Sequence, residues 1–509
     1  MTDTHLRIAI VGGGFGGLGT AMRLKSAGID DFAVFERAEE LGGTWQANTY
    51  PGAQCDIPSV LYSFSFAPNP EWTRLYPLQQ EIKDYLEACA DEGGVSPHLH
   101  LGTELEDASW DDERQYWRLV TTSGVFTADI LVAATGPFSE PAVPSLPGLD
   151  SFEGSTYHSA EWVHDDATVS GRRVAVVGTG ASAVQFIPRL QPKAEHLTVF
   201  QRTPTWIMPH PDRPLGRRTK ALFARVPQSQ RWFRSALNVV FEAMTAGMVF
   251  QPVVLRAGAA IGRWHLRRQV PDRTLRAALT PSYSFGCKRP TFSNSYYPAL
   301  ASENVDVVTS GIDHVVPDGV VTVDGRHHPV DTLVFGTGFN ITGNSAFARL
   351  HGRDGRSLSE QWRGDDMSTF RGTTIANFPN MFMMLGPNSV VYTSQVVTIE
   401  SQIDYLLGAL EAMESAGAAS IEVRADVQKG FVDYTDDRLQ GSVWNSGGCS
   451  SYYLSGAGRN FTFWPGLNAS FRRRMSRFDL SDYRVRGGAA VPTPPVAAHD
   501  GRSEKVVSK

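Results

Sequence analysis

Two glycine-rich stretches carry the residues best placed for chemistry. In Gly12-Gly13-Gly14-Phe15-Gly16-Gly17, the glycines Gly12, Gly14 and Gly17 stand at the G-x-G-x-x-G spacing; Gly178-Thr179-Gly180-Ala181-Ser182-Ala183 repeats it with alanine last. In such a loop the first glycine makes a tight turn, the second lets a pyrophosphate approach the backbone, and the third lets helix meet strand. The helix N-terminus then receives the phosphates. Glu36 follows Gly12 by 24 positions, and Arg202 follows Gly178 by the same 24. A carboxylate there accepts ribose hydroxyls and repels a 2′-phosphate. Arg202, with Thr203 beside it, offers a guanidinium fork that suits one. Equal spacing with opposite charge assigns FAD to the first loop and NADPH to the second.

The elements that must hold these loops are legible around them. Leu6 to Val11 reads as a strand ending in glycines, followed by a helix and a second strand at Phe32 to Glu36. The unit recurs as a strand at Arg173–Val177, a helix at Ala181–Leu190 and a strand at Leu197–Phe200. Asp129-Ile-Leu-Val-Ala-Ala-Thr135-Gly136 is echoed by Asp331-Thr-Leu-Val-Phe-Gly-Thr337-Gly338, so both halves close on the same strand. Hairpins are expected before each closing strand, at Trp117 to Phe126 and Val305 to Val323. The fold class is α/β, with two Rossmann-like dinucleotide-binding domains and a helical insertion in the NADP domain. The expected FAD domain is discontinuous, 1–150 with 340–486; the NADP domain is 151–212 with 280–339. Residues 213–279 form the insert, and 487–509 a disordered tail. A helix is expected from Thr398 to Ala416.

Bulk properties narrow the function classes. A length of 509 residues suits two large lobes, and 42% hydrophobic with 20% charged residues describes a globular chain. The net charge of -6 argues against nucleic acid as a partner. The four cysteines, Cys55, Cys89, Cys287 and Cys449, are not spaced as a metal site or a C-x-x-C pair, which points to no metal and a reducing cytoplasm. Cys55 and Cys287 read as small packed residues. The N-terminus reads as unprocessed. Ala236 to Ile261 is apolar but interrupted by Glu242, Gln251, Pro252 and Arg256. It reads as a packed helical segment, with a lipid-facing surface as the second reading.

Phe152-Glu-Gly154-Ser-Thr-Tyr-His158-Ser-Ala-Glu-Trp162 fits the pattern F-x-G-x-x-x-H-x-x-x-W between the two loops. With it the chain resembles, over nearly its whole length, the class B flavoprotein monooxygenases and within them the type I Baeyer–Villiger monooxygenases. The residue after Trp162 is commonly Pro or Asp in that family, whereas this chain has Val163; the subgroup stays open. Further similar segments are Gly42-Gly43-Thr44-Trp45, Tyr50-Pro51-Gly52 to Cys55-Asp56, and Lys288-Arg289-Pro290. The resemblance implies FAD contacts at Thr44, Trp45, Asp56 and Gly136, and at Asn388 of Gly386-Pro387-Asn388 through a backbone amide. It implies that Arg289 is the fixed cation, oriented by Asp56, that stabilises the anion formed when a flavin peroxide attacks a ketone. Lys288 would help hold the NADPH phosphate. Phe152, Gly154, His158 and Trp162 would couple domain movement to cofactor position. Trp444 to Cys449 and Trp464-Pro465-Gly466 would cover the active site.

The expected activity is therefore NADPH- and dioxygen-dependent conversion of a ketone to an ester or lactone. Oxygenation of a soft nitrogen or sulfur atom is the rival within enzymes, and a non-oxygenating flavin sensor or electron carrier the rival outside them. Partners are a small ketone and dioxygen, with no nucleic acid and no obligate membrane.

Overall fold

A computed structural model describes residues 4–250, 252–363 and 367–487; the expected disordered tail, from residue 488 on, lies outside the described residues. The apolar run Ile8 to Val11 is buried on both faces, as parallel strands flanked by other layers require. Thr4–Val11 pairs in parallel with Phe32–Phe35 and with Gly124–Ala133. Among the described residues these belong to an eight-stranded sheet, which continues through Tyr116–Thr121 and Leu105–Asp111 to Leu350–His351. Leu99–His100 lies at the other edge, and Met381–Met383 also pairs with Gly124–Ala133. Strands late in the chain thus complete the sheet begun at its start.

Among the described residues the second sheet has five parallel strands in the order Val305–Val308, His196–Phe200, Arg173–Val177, Thr332–Phe335, Ser155–His158. The echo seen in the sequence is reproduced in register. Val11 pairs with Ala133 in the first sheet, and Val177 with Phe335 in the second. The first expected hairpin is present, with Tyr116–Thr121 antiparallel to Gly124–Ala133. The second is shifted. Val305–Val308 joins the parallel sheet as its edge strand, where Val305 and Val307 pack against the core, and the hairpin is made by Ile312–Val316 and Gly319–Thr322.

The segment 213–279 is helical, with helices Arg217–Arg225, Pro227–Phe250, Pro252–Gln269 and Arg273–Ala278. Proline opens two of these, where its missing N–H costs nothing. The expectation of a packed segment at Ala236 to Ile261 holds for one face only. Thr245, Gly247 and Met248 are buried, while Val239, Val240, Met244, Phe250, Val254 and Ile261 are exposed. Among the described residues no single helix is long and apolar enough to cross a membrane. The helix expected from Thr398 starts earlier, at Gln395, because the Ser394 hydroxyl accepts from the Val396 N–H, and it stops where Gly417 turns left-handed.

Candidate active site

The first glycine loop sits where the central strand Thr4–Val11 ends. Gly12 has φ 113°, and a Cβ there would lie 2.4 Å from the Ala134 carbonyl oxygen. Gly17 faces back on Gly12, where a Cβ would come within 1.8 Å of its carbonyl oxygen. The helix Phe15–Ser26 can pack this close only without side chains. Glu36, just beyond the second strand, is buried. Its Oε2 accepts from the Gly13 N–H at 2.6 Å and its Oε1 from the Ala38 N–H at 2.9 Å. Gly12, Gly14, Phe15, Glu36, Thr44, Trp45, Asp56 and Gly136 all border one cavity of about 480 Å³. Backbone glycines beside a held carboxylate fit the pyrophosphate and ribose of FAD.

Arg289 and Asp56 border the same cavity. They are 233 positions apart and form a two-point ion pair, Nε to Oδ2 at 2.5 Å and Nη2 to Oδ1 at 3.0 Å. Burial opposes the charge on Arg289, but the Asp56 carboxylate outweighs it and holds the guanidinium above its ordinary pKa. The Arg289 Cζ lies 5.4 Å from the Tyr392 ring centre, and its backbone N–H donates to the Tyr453 hydroxyl at 3.3 Å. Burial pushes both tyrosine hydroxyls up, so they stay protonated beside a permanent cation.

The second loop repeats the first. Gly178 has φ 108°, and a Cβ there would lie 2.5 Å from the Gly336 carbonyl oxygen. Gly180 precedes the helix Ala181–Leu190, with Ser182 in its first turn and Ala183 buried beneath. The Thr179 hydroxyl donates to the Thr203 carbonyl, tying the loop to the segment of Arg202. Arg202 is exposed, and among the described residues no carboxylate lies within ion-pair distance of it. Lys288 is half-buried; burial lowers its pKa first, and Arg202 lowers it further. Two cations without a carboxylate between them are suited to an anion. Ala181 also borders the first cavity, so the two loops face a common space.

The linker signature lies between the lobes. Phe152 and Gly154 lead into Ser155–His158, whose last residue pairs with Phe335 ahead of the second closing turn. His158 is buried, with Nδ1 accepting from the Ala160 N–H, and burial lowers its pKa. Trp162 packs on Tyr157 and Phe186 of one lobe and on Tyr50 of the other, at ring distances of 5.2, 5.3 and 6.4 Å.

Several residues outside the sequence reading complete the site. The Tyr50 hydroxyl, pushed up to about 12 by burial, donates to the Gln185 Oε1, and the Gln185 side chain donates to the Gln54 carbonyl. Trp45 Nε1 donates to the Tyr62 hydroxyl. Tyr392, Tyr452, Tyr453, Phe461 and Phe463 give the cavity an aromatic wall. Nothing in local spacing marks them, and the signal for Tyr50 was only its place in a similar segment.

Three expectations are corrected. Asn388 does not border the cavity. Its backbone N–H donates to the Phe461 carbonyl at 2.7 Å, and its side chain donates to the carbonyls of Asn460 and Phe463. It pins the segment 460–463, whose Phe461 and Phe463 border the cavity as Gly386 and Pro387 do, whereas the segments expected to cover the site, Trp444 to Cys449 and Trp464 to Gly466, do not border it. Cys287 is not a lone packed thiol, because it forms a disulfide with Cys449. The bond ties the Lys288-Arg289 segment to the segment of Trp444 to Cys449; Cys55 and Cys89 remain free and buried.

Two dinucleotide loops facing one cleft, one with a carboxylate and one with cations, define a two-nucleotide flavoprotein oxidoreductase. Residues 9–245 match the family model described as pyridine nucleotide-disulphide oxidoreductase. A Baeyer–Villiger monooxygenase of Streptomyces coelicolor is 45% identical over 94% of this chain and 93% of its own length. One of Pseudomonas aeruginosa is 43% identical over 97% of this chain and 93% of its own. The closed crystal structure of cyclohexanone monooxygenase superposes with a TM-score of 0.85 at 29% identity, covering 96% of this chain and all of that one. The chain belongs to the Baeyer–Villiger monooxygenase family. It is an FAD- and NADPH-dependent monooxygenase that inserts one oxygen atom beside a ketone carbonyl.

Proposed function

We propose that Arg289, held by Asp56, supplies the fixed positive charge at the reacting carbonyl oxygen. The observation that carries this reading is the two-point Arg289–Asp56 pair on the wall of the cavity that the first glycine loop borders. Bound FAD supplies the chemistry that activates dioxygen. The protein's own part is binding, orientation and charge. Gly12, Gly14, Phe15 and Gly17 make room for the pyrophosphate, and Glu36 takes the ribose. Thr44, Trp45, Asp56 and Gly136 border the rest of the cofactor, and Asn388 acts on it indirectly through the segment 460–463. Arg289 cannot lose its proton at working pH, so it offers N–H donors to oxygen as negative charge develops there. The Tyr392 ring flanks the guanidinium, and Tyr453 anchors the Arg289 backbone.

Arg202, Thr203 and Lys288 hold the 2′-phosphate of NADPH, with Gly178, Gly180, Ala181, Ser182 and Ala183 at its pyrophosphate. Phe152, Gly154, His158 and Trp162 set the angle between an FAD domain of 1–150 with 340–486 and an NADP domain of 151–212 with 280–339. The aromatic wall favours a ketone with apolar flanks. Need for NADPH suits a cytoplasmic setting. The test is to supply the purified holoenzyme with NADPH, air and a panel of cyclic and aryl ketones, alongside amines and sulfides. The expected outcome is a mass gain of one oxygen atom on ketones; products from amines or sulfides alone would overturn the reading.

A further inference from the structure

The insert is where charge and exposure part from the rest of the chain. Residues 213–279 hold 13 of the 47 Lys and Arg but only 2 of the 53 Asp and Glu, namely Glu242 and Asp272. The insert is therefore net +11 in a chain of net -6, which leaves -17 for everything else.

Its longest helix, Pro227–Phe250, packs Phe233, Leu237, Phe241 and Met248 inward, yet its outer face is apolar as well. Several of its polar side chains point into the protein. Arg234 donates to the carbonyls of Val60 and Ser63 at 2.7 and 2.8 Å, Glu242 accepts from the N–H groups of Asn468 and Ala469, and Asn238 accepts from the Asn468 side chain. A second set of apolar groups points away. Trp232, Val239 and Phe250 are 66, 67 and 56% exposed, and Val240 and Met244 are exposed beside them. The next helix, Pro252–Gln269, continues the face with exposed Val254, Ile261 and Trp264, and the two meet where Val254 packs on Gly247. Exposed Arg256, Arg263, Arg267 and Arg268 flank this second stripe.

A contiguous apolar face of this kind marks an interaction surface. Its charge selects the occupant. A second copy would bring another +11 insert against the first, and like charges brought together cost free energy. An anionic lipid surface offers both halves of what the face lacks, an acyl boundary for tryptophan, valine and phenylalanine, and phosphates for arginine. The two helices are bent by 107° relative to each other, and neither is long and apolar enough to span a bilayer alone. We propose that the helical insert docks the enzyme peripherally on anionic phospholipid, with Trp232, Val239, Val240, Phe250 and Trp264 at the acyl boundary and the arginines at the headgroups. This is independent of the ketone chemistry.

The test is flotation of the FAD-loaded full chain with vesicles of phosphatidylcholine alone or mixed with phosphatidylglycerol. The expected result is flotation with the mixed vesicles, little with phosphatidylcholine alone, and release by high salt. Replacing Arg267 and Arg268 together by glutamine should weaken partition about 30-fold, roughly fivefold per arginine. Val239→Asp should abolish flotation, while both variants keep FAD and wild-type NADPH consumption. If Val239→Asp loses FAD, the salt dependence and the arginine pair decide. Absence of flotation with phosphatidylglycerol vesicles at low salt overturns the proposal. So does a dimer in lipid-free solution that Val239→Asp converts to monomer, which would assign the face to a second copy.

Discussion

The two glycine loops close on the same backbone contact yet meet opposite charge. In the first, Gly16 of the helix faces the Ala134 methyl; in the second, Ala183 of the helix faces Gly336. The methyl stands on the strand side in one lobe and on the helix in the other, at helix positions one residue apart, since Gly16 is matched by Ser182 and Ala183 by Gly17. The charges do not interchange so simply. Glu36 is buried and already accepts two backbone N–H groups, so its orientation is set by the lobe itself. Arg202 is exposed and, among the described residues, makes no ion pair with a carboxylate, and it adds to the burial that lowers the pKa of Lys288. The first site is organised before its ligand arrives, whereas the second gains charge compensation only from its ligand. That difference suits a resident cofactor in one and an exchanging one in the other.

The largest expected effect tests the steric half of this contrast. Gly17→Ala would place a Cβ within 1.8 Å of the Gly12 carbonyl oxygen, so the purified protein should carry almost no flavin by absorbance. Ala183→Gly should shift the KM for NADPH by less than about threefold, since it removes one methyl and some helix propensity. Full flavin in Gly17→Ala would break the comparison. Next, Arg289→Ala should cut ester or lactone formation by about 10²–10³-fold while NADPH is still oxidised. Arg289→Lys should not restore it, because an ammonium cannot make the two-point pair with Asp56. Product formation that survives both changes would remove Arg289 from its role.

A smaller effect probes charge. Arg202→Ala should raise the KM for NADPH roughly 10- to 100-fold, the worth of hydrogen bonds to a charged group, and leave that for NADH unchanged. Equal losses with both nucleotides would show that Arg202 does not read the 2′-phosphate. The smallest concerns the joint between the lobes. Burial holds the His158 pKa below its ordinary value near ~6.5, so the folded state binds fewer protons than the unfolded state as pH falls. Its contribution is fully present above that ordinary value and is lost as pH drops towards the lowered one. Thermal unfolding followed across this window should show the decline, at no more than about 1.4 kcal/mol per pH unit for one group, and His158→Gln should flatten it.

Much of the fold was legible because its signals are local. The helix Ala181–Leu190 and the strand Arg173–Val177 lie where their apolar patterns put them, and the Asp129 and Asp331 echo became matched strands. Local patterning failed where a strand had two possible partners. Val305–Val308 reads as half of a hairpin but gains more by extending a parallel sheet. The site was legible in its loops and, by family resemblance, in Arg289 and Asp56. Tyr392, Tyr453 and Gln185 were not legible, since an aromatic or amide side chain carries the same local pattern in a core as in a pocket.

What the residues determined alone is steric and electrostatic at short range. Spacing within one strand, turn and helix decides where glycine is needed and which charge follows, so two dinucleotide loops and their different ligands could be read without coordinates. Only the tertiary structure brought Asp56 to Arg289 across 233 positions, joined Cys287 to Cys449 across 162, and turned Asn388 from the cavity to the segment 460–463. It alone showed that the insert faces Val239, Val240 and Val254 outward. Contacts between distant segments depend on how whole sheets and helices stack, and no local pattern encodes that choice.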